Sequence, residues 1–532
     1  MIVTTALTAA ACSSNGNGTG STSTKGGTIL GAGPFSPDTL DPDPQGIVDE
    51  QTNFMMAGDY AGVLLGVRPP SPTATAPLNF TDLVPELAAS VKPEPSGTGY
   101  QFTLRKGVVS NWGNPLTSAD VAWTFQRMVQ TKAIGAILLS IGNVNTANPI
   151  TVTGPLTFTL NLLRPSPVIL DMLQITAMAI LDKKAVQQHA APSDPWGYKW
   201  LANHVASYGP YIVSSFSPSV ETTLVPNPHY YGPKPAVTKV IFKQITDSSS
   251  RLQLLQGGEI NLDWQASPTE YSSVKSNTRL RVNFDHAALF SRIVPNFRTG
   301  PFKNVLVRRA VQAAIDRQAI ANAILPGQAT PATSCVPSPI NPSGFTGLSN
   351  ATANVALAKK LLAQAGYKHG LTITLATNYG VTIADLPAVA SFLQTQLSAA
   401  GITLKIQSYP TQASYLQAVT KAGYEALMDT FQPFVADPGF YMLAVLTAGA
   451  KNAINYGAYE NKAFDADITT AMSTVGPSRT TALDEACGLA QQDVATIPLI
   501  NIPTLTITSS NVTGVYDYPD LQLHFDVMKV SS

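Results

Sequence analysis

Few side chains in this sequence fall at spacings that could do chemistry. Six histidines stand at 189, 204, 229, 286, 369 and 524, too scattered for a metal-ligand pattern. No HExxH, GxSxG, P-loop or EF-hand pattern occurs, so zinc hydrolysis, serine acyl transfer and nucleotide binding lack a sequence basis. Asp38, Asp41 and Asp43 crowd together, but Pro42 and Pro44 sit beside them and no glycine holds the EF-hand turn position, so they read as a loop. Gly31, Ala32 and Gly33 are too short a run for a dinucleotide fingerprint. What remains is non-covalent recognition by aromatic rings and a few aimed polar groups. Tyr379 closes LTITLATNY and Tyr409 closes ITLKIQSY, each at the carboxyl end of a predicted strand, where open α/β sheets meet their ligands. The alternative for both is an ordinary loop tyrosine. No metal and no cofactor is expected.

Positioning such groups needs a scaffold, and 532 residues allow two or three lobes. Apolar residues make up 44% and charged residues only 12%, with 33 basic against 33 acidic side chains. No basic run tracks a phosphate backbone, which argues against a nucleic-acid partner. Beyond the first dozen residues no apolar stretch is long enough to span a bilayer. Strands and helices mix along the chain. YQFTLRKGV (100–108) alternates as a half-buried strand, and Ser118, preceded by Thr117, can cap the helix ADVAWTFQRMVQ. Three strands follow one another from 208 to 245, and a helix then closes at Gly257-Gly258. The stretch 305–324 reads as one strongly amphipathic helix, with Arg308, Arg309 and Asp316 left to solvent or pairing. After a Pro/Ser-rich loop the pattern becomes helix, strand, helix, strand, as in an α/β lobe with crossover helices.

The first residues, MIVTTALTAAACSSNGNGTGSTSTKGG, read as the tail of an export signal. Ala9, Ala10 and Ala11 supply the small residues a signal peptidase needs, Cys12 follows at once, and a Ser/Gly/Asn/Thr tether comes next. Cys12 is therefore expected to carry lipid, making the chain an exported lipoprotein on the outer face of the cytoplasmic membrane or in the periplasm. In such a compartment Cys335 and Cys487 can pair, or Cys487 can be a small buried residue of a helix.

Several blocks, in order, resemble one family, the extracellular solute-binding proteins of the dipeptide/oligopeptide/nickel class (family 5). They are TLDPDP, Tyr60 to Leu64, the stretch LVPELAASVKPEP to WTFQRM, the stretch SYGPYIVSSFS to GGEINL, and PNFRTGPFKNVLVRRAVQAAIDRQAI. The resemblance implies an α/β, two-lobed periplasmic-binding-protein fold of the class II, three-domain large type, with a ligand cleft between the lobes. A core lobe would come from 26–62, 204–287 and 505–532, an insert from 63–203 and a second lobe from 288–504, with 1–25 as signal remnant and tether.

The resemblance also implies a role. The chain would be the substrate-binding component of an ABC importer, closing on a small solute, peptide or peptide-like first, and handing it to permease subunits. It would be a monomer, held to the membrane only by its lipid, and not an enzyme. Two other classes stay open: a lipid-anchored sensor, and a secreted hydrolase on the same fold. Trp264 and Gln265 occupy the stretch where peptide-binding relatives face the ligand, although Trp264 reads equally as core. DTFQPFVADPGFYML (429–443) resembles the family's cleft loop. Aligned on Pro438 without a gap, it sets Phe431, Gln432 and Phe434 along the cleft, with Phe434 where oligopeptide binders hold the peptide ammonium with an aspartate. Asp437 takes that role only if the loop is three residues shorter.

Overall fold

The computed structural model describes residues 27–44, 56–67, 83–285, 289–341, 345, 351–378, 386–409, 412–420, 424–431, 435–448, 454–516, 518 and 522–531. Cys12, Tyr379, Gln432 and Phe434 lie outside them.

Three sheets organise the described residues. The first runs Leu280–Asp285, Thr504–Ser509, Leu262–Ala266, Thr28–Gly33, Lys239–Gln244, Glu221–Pro226 and Tyr211–Ser217 in spatial order. Thr28–Gly33 lies parallel to both its neighbours, and the flanking pairs are antiparallel. The second sheet runs Thr330–Pro331, Ile497–Asn501, Phe290–Pro295, Ala426–Phe431, Leu371–Asn378 and Ile402–Tyr409, the last three mutually parallel and joined by helices. The third is a four-stranded antiparallel sheet, Ala88–Pro93, Gly99–Leu104, Thr157–Asn161 and Ile150–Gly154.

Period-two alternation decides what each face of the first sheet buries. Leu262 and Trp264 join Ile29, Val240 and Phe242 in one apolar cluster, closed from outside by Leu523, Phe525 and Met528. Gly31 and Gly33 earn their place here: a Cβ on either would stand 2.8 Å from the Phe242 ring, and at Gly33 also 2.9 Å from Trp264. A second cluster joins Ala32, Ala266 and Ile507 to Ile293, Leu375 and Met428 of the second sheet. A third links the third sheet to the helices beyond the second, with Phe102, Phe158, Ile169 and Met172 beside Phe440, Met442 and Ala486.

Three sequence expectations change. Thr117, not Ser118, is the N-cap of Ser118–Thr131: its amide and hydroxyl donate to the Asp120 carboxylate at 2.8 and 2.6 Å, while the Ser118 hydroxyl goes to Gly154 O. The stretch 305–324 is two helices, Val305–Ala314 and Arg317–Ile324, because Asp316 accepts the Ala319 amide at 2.8 Å and starts a new one. Arg308 is buried. It donates to Phe302 O at 2.6 Å and Asp493 O at 2.8 Å and lies 4.1 Å over the Phe297 ring. Cys335 and Cys487, the latter within the helix Pro477–Gln492, form a disulfide with their Cα atoms 5.9 Å apart.

Candidate functional site

The first and second sheets are joined where the chain crosses twice, from Asp285 to Phe290 and from Asn501 to Thr504. Both crossings are short, and the Ile502 amide donates to Leu289 O at 3.2 Å, tying one to the other. The same junction collects strand ends. Leu505 pairs with Ala266 and Phe284 in the first sheet, and Phe290 pairs with Phe431 and Asn501 in the second. A ligand lodged here would touch both sheets at once.

On the second-sheet side, period two puts Phe290, Arg292, Asp429 and Phe431 on one face. Tyr441 packs edge-on against Phe290 and Phe431, with centroids 5.6 and 5.5 Å apart. Arg292 grips Asp429 with two bonds of 2.7 and 3.0 Å, donates to the Tyr441 hydroxyl at 3.1 Å and sits 5.8 Å over the Phe431 ring. Burial opposes its charge, but Asp429 and Tyr441 outweigh burial and raise its pKa. Burial pushes the Tyr441 hydroxyl up to about 12. The result is an aromatic wall built on a satisfied ion pair, with Phe290 and Tyr441 buried within it and Phe431 partly exposed.

Asp437 stands as the N-cap of Pro438–Leu446, accepting the Phe440 amide at 2.8 Å, and its other oxygen accepts from Arg479 at 2.5 Å. Both oxygens are thus committed within the chain. Tyr409 ends Ile402–Tyr409, half-buried, with its ring edge-on to Tyr415 at 6.1 Å.

On the first-sheet side, Trp264 and Gln265 lie inside the strand Leu262–Ala266. Trp264 is 6% exposed and packs edge-on to Phe242 at 6.3 Å. With Asn283, Phe284, Tyr516, Tyr518 and His524 it also lines a shallow open recess. Gln265 is the extra residue of a bulge, with a φ of 53°, which explains why Ala266 turns to the face opposite Trp264. Arg251 holds it there, donating to Gln265 O at 3.0 Å and to Asp263 at 2.6 Å. A left-handed non-glycine costs about 1–3 kcal/mol, and such outliers gather at ligand clamps. The Gln265 Oε1 is buried with no hydrogen-bond partner among the described residues, as are the hydroxyls of Ser291 and Thr377. Both hydroxyls share the opposite face of the second sheet, with Met428.

Of the residues singled out from the sequence, Trp264, Gln265, Tyr409, Phe431 and Asp437 fall among the described residues, and the sequence reading did not single out Arg292, Asp429, Tyr441, Ser291 or Thr377. A charge inside an apolar strand, as in FSRIVP and ALMDTF, was the available signal for the ion pair.

With that geometry in view, residues 82–453 match the model of the bacterial extracellular solute-binding proteins, family 5 Middle. The chain belongs to that family. This solute-binding protein is 25% identical over 455 residues to the glutathione-binding protein GsiB of Salmonella paratyphi A, covering 83% of this chain and 85% of that one. Its fold matches the periplasmic binding protein DppA of Helicobacter pylori in complex with the peptide STSA, with a TM-score of 0.78, 22% identity and coverage of 95% and 98%. It also matches NikZ of Campylobacter jejuni in complex with Ni(L-His), with a TM-score of 0.79, 16% identity and coverage of 94% and 99%. The solute-binding protein is thus the capture component of an ABC importer, on a periplasmic-binding-protein fold. Among the described residues no helix is long and apolar enough to cross a membrane.

Proposed function

We propose that this protein captures a peptide or peptide-like solute between two lobes, by closure about the paired crossings at Leu289 and Ile502, and releases it unaltered to permease subunits. The observation that carries the reading is the junction itself: two short tied crossings with an aromatic wall on one side and unpartnered polar oxygens on both. Each sheet draws its strands from one of the three segment sets, 26–62 with 204–287 and 505–532, 63–203, and 288–504, apart from Thr504 at the boundary. That partition supports a core lobe, an insert and a second lobe. Peptides come first because relatives named for glutathione and for a bound peptide lie among the matches.

The ligand would rest on Phe431 and Phe434, with Gln432, Tyr379, Tyr409, Trp264 and Gln265 around it. Asp437, already capping a helix and paired with Arg479, would serve the loop and not a ligand ammonium. Cys12 would carry the lipid, releasing the protein from membranes when changed to serine. Native mass spectrometry of gently purified protein tests the capture reading: an adduct of peptide-like mass is expected. Specific hydrolysis of a peptide, ester or glycoside panel that scaled with pure protein would overturn it.

A further inference from the structure

The insert is bolted to the core lobe at several buried points. Arg127 of Ser118–Thr131 pairs with Asp41, and the Gly135 amide donates to the Asp43 carboxylate at 2.8 Å. The Ile180 amide donates to Gly62 O at 2.8 Å, and the Tyr231 hydroxyl donates to Glu86 at 2.8 Å. The insert therefore travels with the core lobe, and a contact it makes to the second lobe spans a junction that opens and shuts.

Asn143 makes such a contact. It follows the helix Ile134–Ile141 in the left-handed conformation, with a φ of 59°; its amide donates to Ser140 O at 3.1 Å and the Val144 amide donates to Leu139 O at 2.9 Å, the pattern of a Schellman ending. Glycine is the usual occupant of that position, and Gly142 stands one place earlier, yet asparagine holds it and supplies a side chain that glycine lacks. The residue is 5% exposed. Its side-chain oxygen accepts from Arg164 at 2.9 Å and its side-chain nitrogen donates to Pro165 O at 3.0 Å, both within the insert. The same nitrogen donates across the junction to Met472 O at 2.7 Å. Met472 is the C-cap of the second-lobe helix Lys462–Ala471, where a helix leaves its carbonyls without internal partners. Around this bond, Ile169 and Met172 share one apolar cluster with Phe440, Met472 and Leu483. Apolar contact has no direction of its own, so the aimed hydrogen bond fixes where the two bodies stop.

We propose that Asn143 is a latch between the insert and the second lobe, its side-chain amide engaging Met472 O only when the lobes are shut and so favouring the closed protein. This rests on the reading of capture by lobe closure and adds the residue that sets the balance between open and closed forms. When the lobes part, the bonds to Arg164 and Pro165 stay inside the insert and keep the donor aimed. Little ordering is then needed to re-form the bond to Met472, which is the benefit of a preorganised contact.

The test needs no ligand. In the full chain with Cys12→Ser, spin labels at Val152→Cys in the third sheet and Leu357→Cys in the helix Val355–Gln364, both exposed, report the separation of insert and second lobe. Asn143→Gly keeps the left-handed turn without strain and removes only the side chain, so the longer separation should gain about fivefold or more in population over the shorter. Asn143→Asp keeps the size and the bond to Arg164 but turns an oxygen toward Met472 O, and it should open the protein further still. A separation unchanged in both variants, even with a lower melting point, makes Asn143 a helix ending alone and overturns the latch, as does an Asn143→Asp protein that stays as closed as its parent. A pool of mixed di- and tripeptides added to Asn143→Gly reads the capture model separately. Its failure to restore the shorter separation would count against capture while leaving the ligand-free ranking standing.

Discussion

At the scale of single residues, the contrast between Phe434 and Asp437 decides how the ligand is held. If the ring is the contact, Phe434→Ala should weaken binding by about 1–3 kcal/mol, the worth of a lost buried aromatic face. Asp437→Asn, titrated at pH 6, should leave affinity nearly unchanged, because an asparagine still caps the helix. Calorimetry of the identified ligand with both variants checks the ranking, and the reverse order would return the ammonium role to Asp437. Arg292 makes a different kind of prediction. Its bidentate partner Asp429 is only 12% exposed, so Arg292→Leu strands a carboxylate beside Tyr441 and should cost about 3–5 kcal/mol in urea unfolding. These residue-scale features were only partly legible. Phe431 and Asp437 came from a loop that looked familiar, whereas Ser291 and Thr377 are ordinary strand residues in the sequence. What sets them apart is a missing partner, and partners are a property of the folded chain.

Among the elements, period and punctuation carried most of the reading. Alternation placed the strands that became Gly99–Leu104 and Leu371–Asn378, and Gly258, at a φ of 80°, ends Ser248–Gly257 where the glycine pair stands. Periodicity failed where a local bond interrupts it without disturbing the pattern. Asp316 splits one apolar stripe into two helices, and Gln265 adds a residue to a strand whose letters alternate smoothly. The glycines of the first strand were dismissed as a failed fingerprint, yet they are the floor under two rings. Gly33→Ala should overpack that contact and cost about 1–3 kcal/mol, read as a lower melting point. Gln265→Gly should do the opposite, keeping or raising stability by relieving the left-handed strain while weakening the ligand through loss of the amide oxygen. Melting and titration of this one variant separate the two effects.

For the whole molecule, the packing of the third sheet's neighbourhood against the helices beyond the second sheet had no sequence signal, since it brings Asn143 to Met472 across a separation of 329 residues. The disulfide acts at this scale too. It closes a loop across a separation of 152 residues, so Cys335→Ala with Cys487→Ala should lower unfolding free energy by about 3–5 kcal/mol, measured as a shift in the urea midpoint. The strand Thr504–Ser509 has a consequence of another sort. It is made after every strand of the second sheet, yet it lies inside the first, between Leu280–Asp285 and Leu262–Ala266. While a nascent chain is still short of Thr504, the second sheet has every strand it needs and the first has a gap, with Leu280–Asp285 stranded on the far side. The first sheet therefore cannot close until Thr504–Ser509 has been made, and a growing chain stays open on that side until then, a state that suits passage through a narrow export channel.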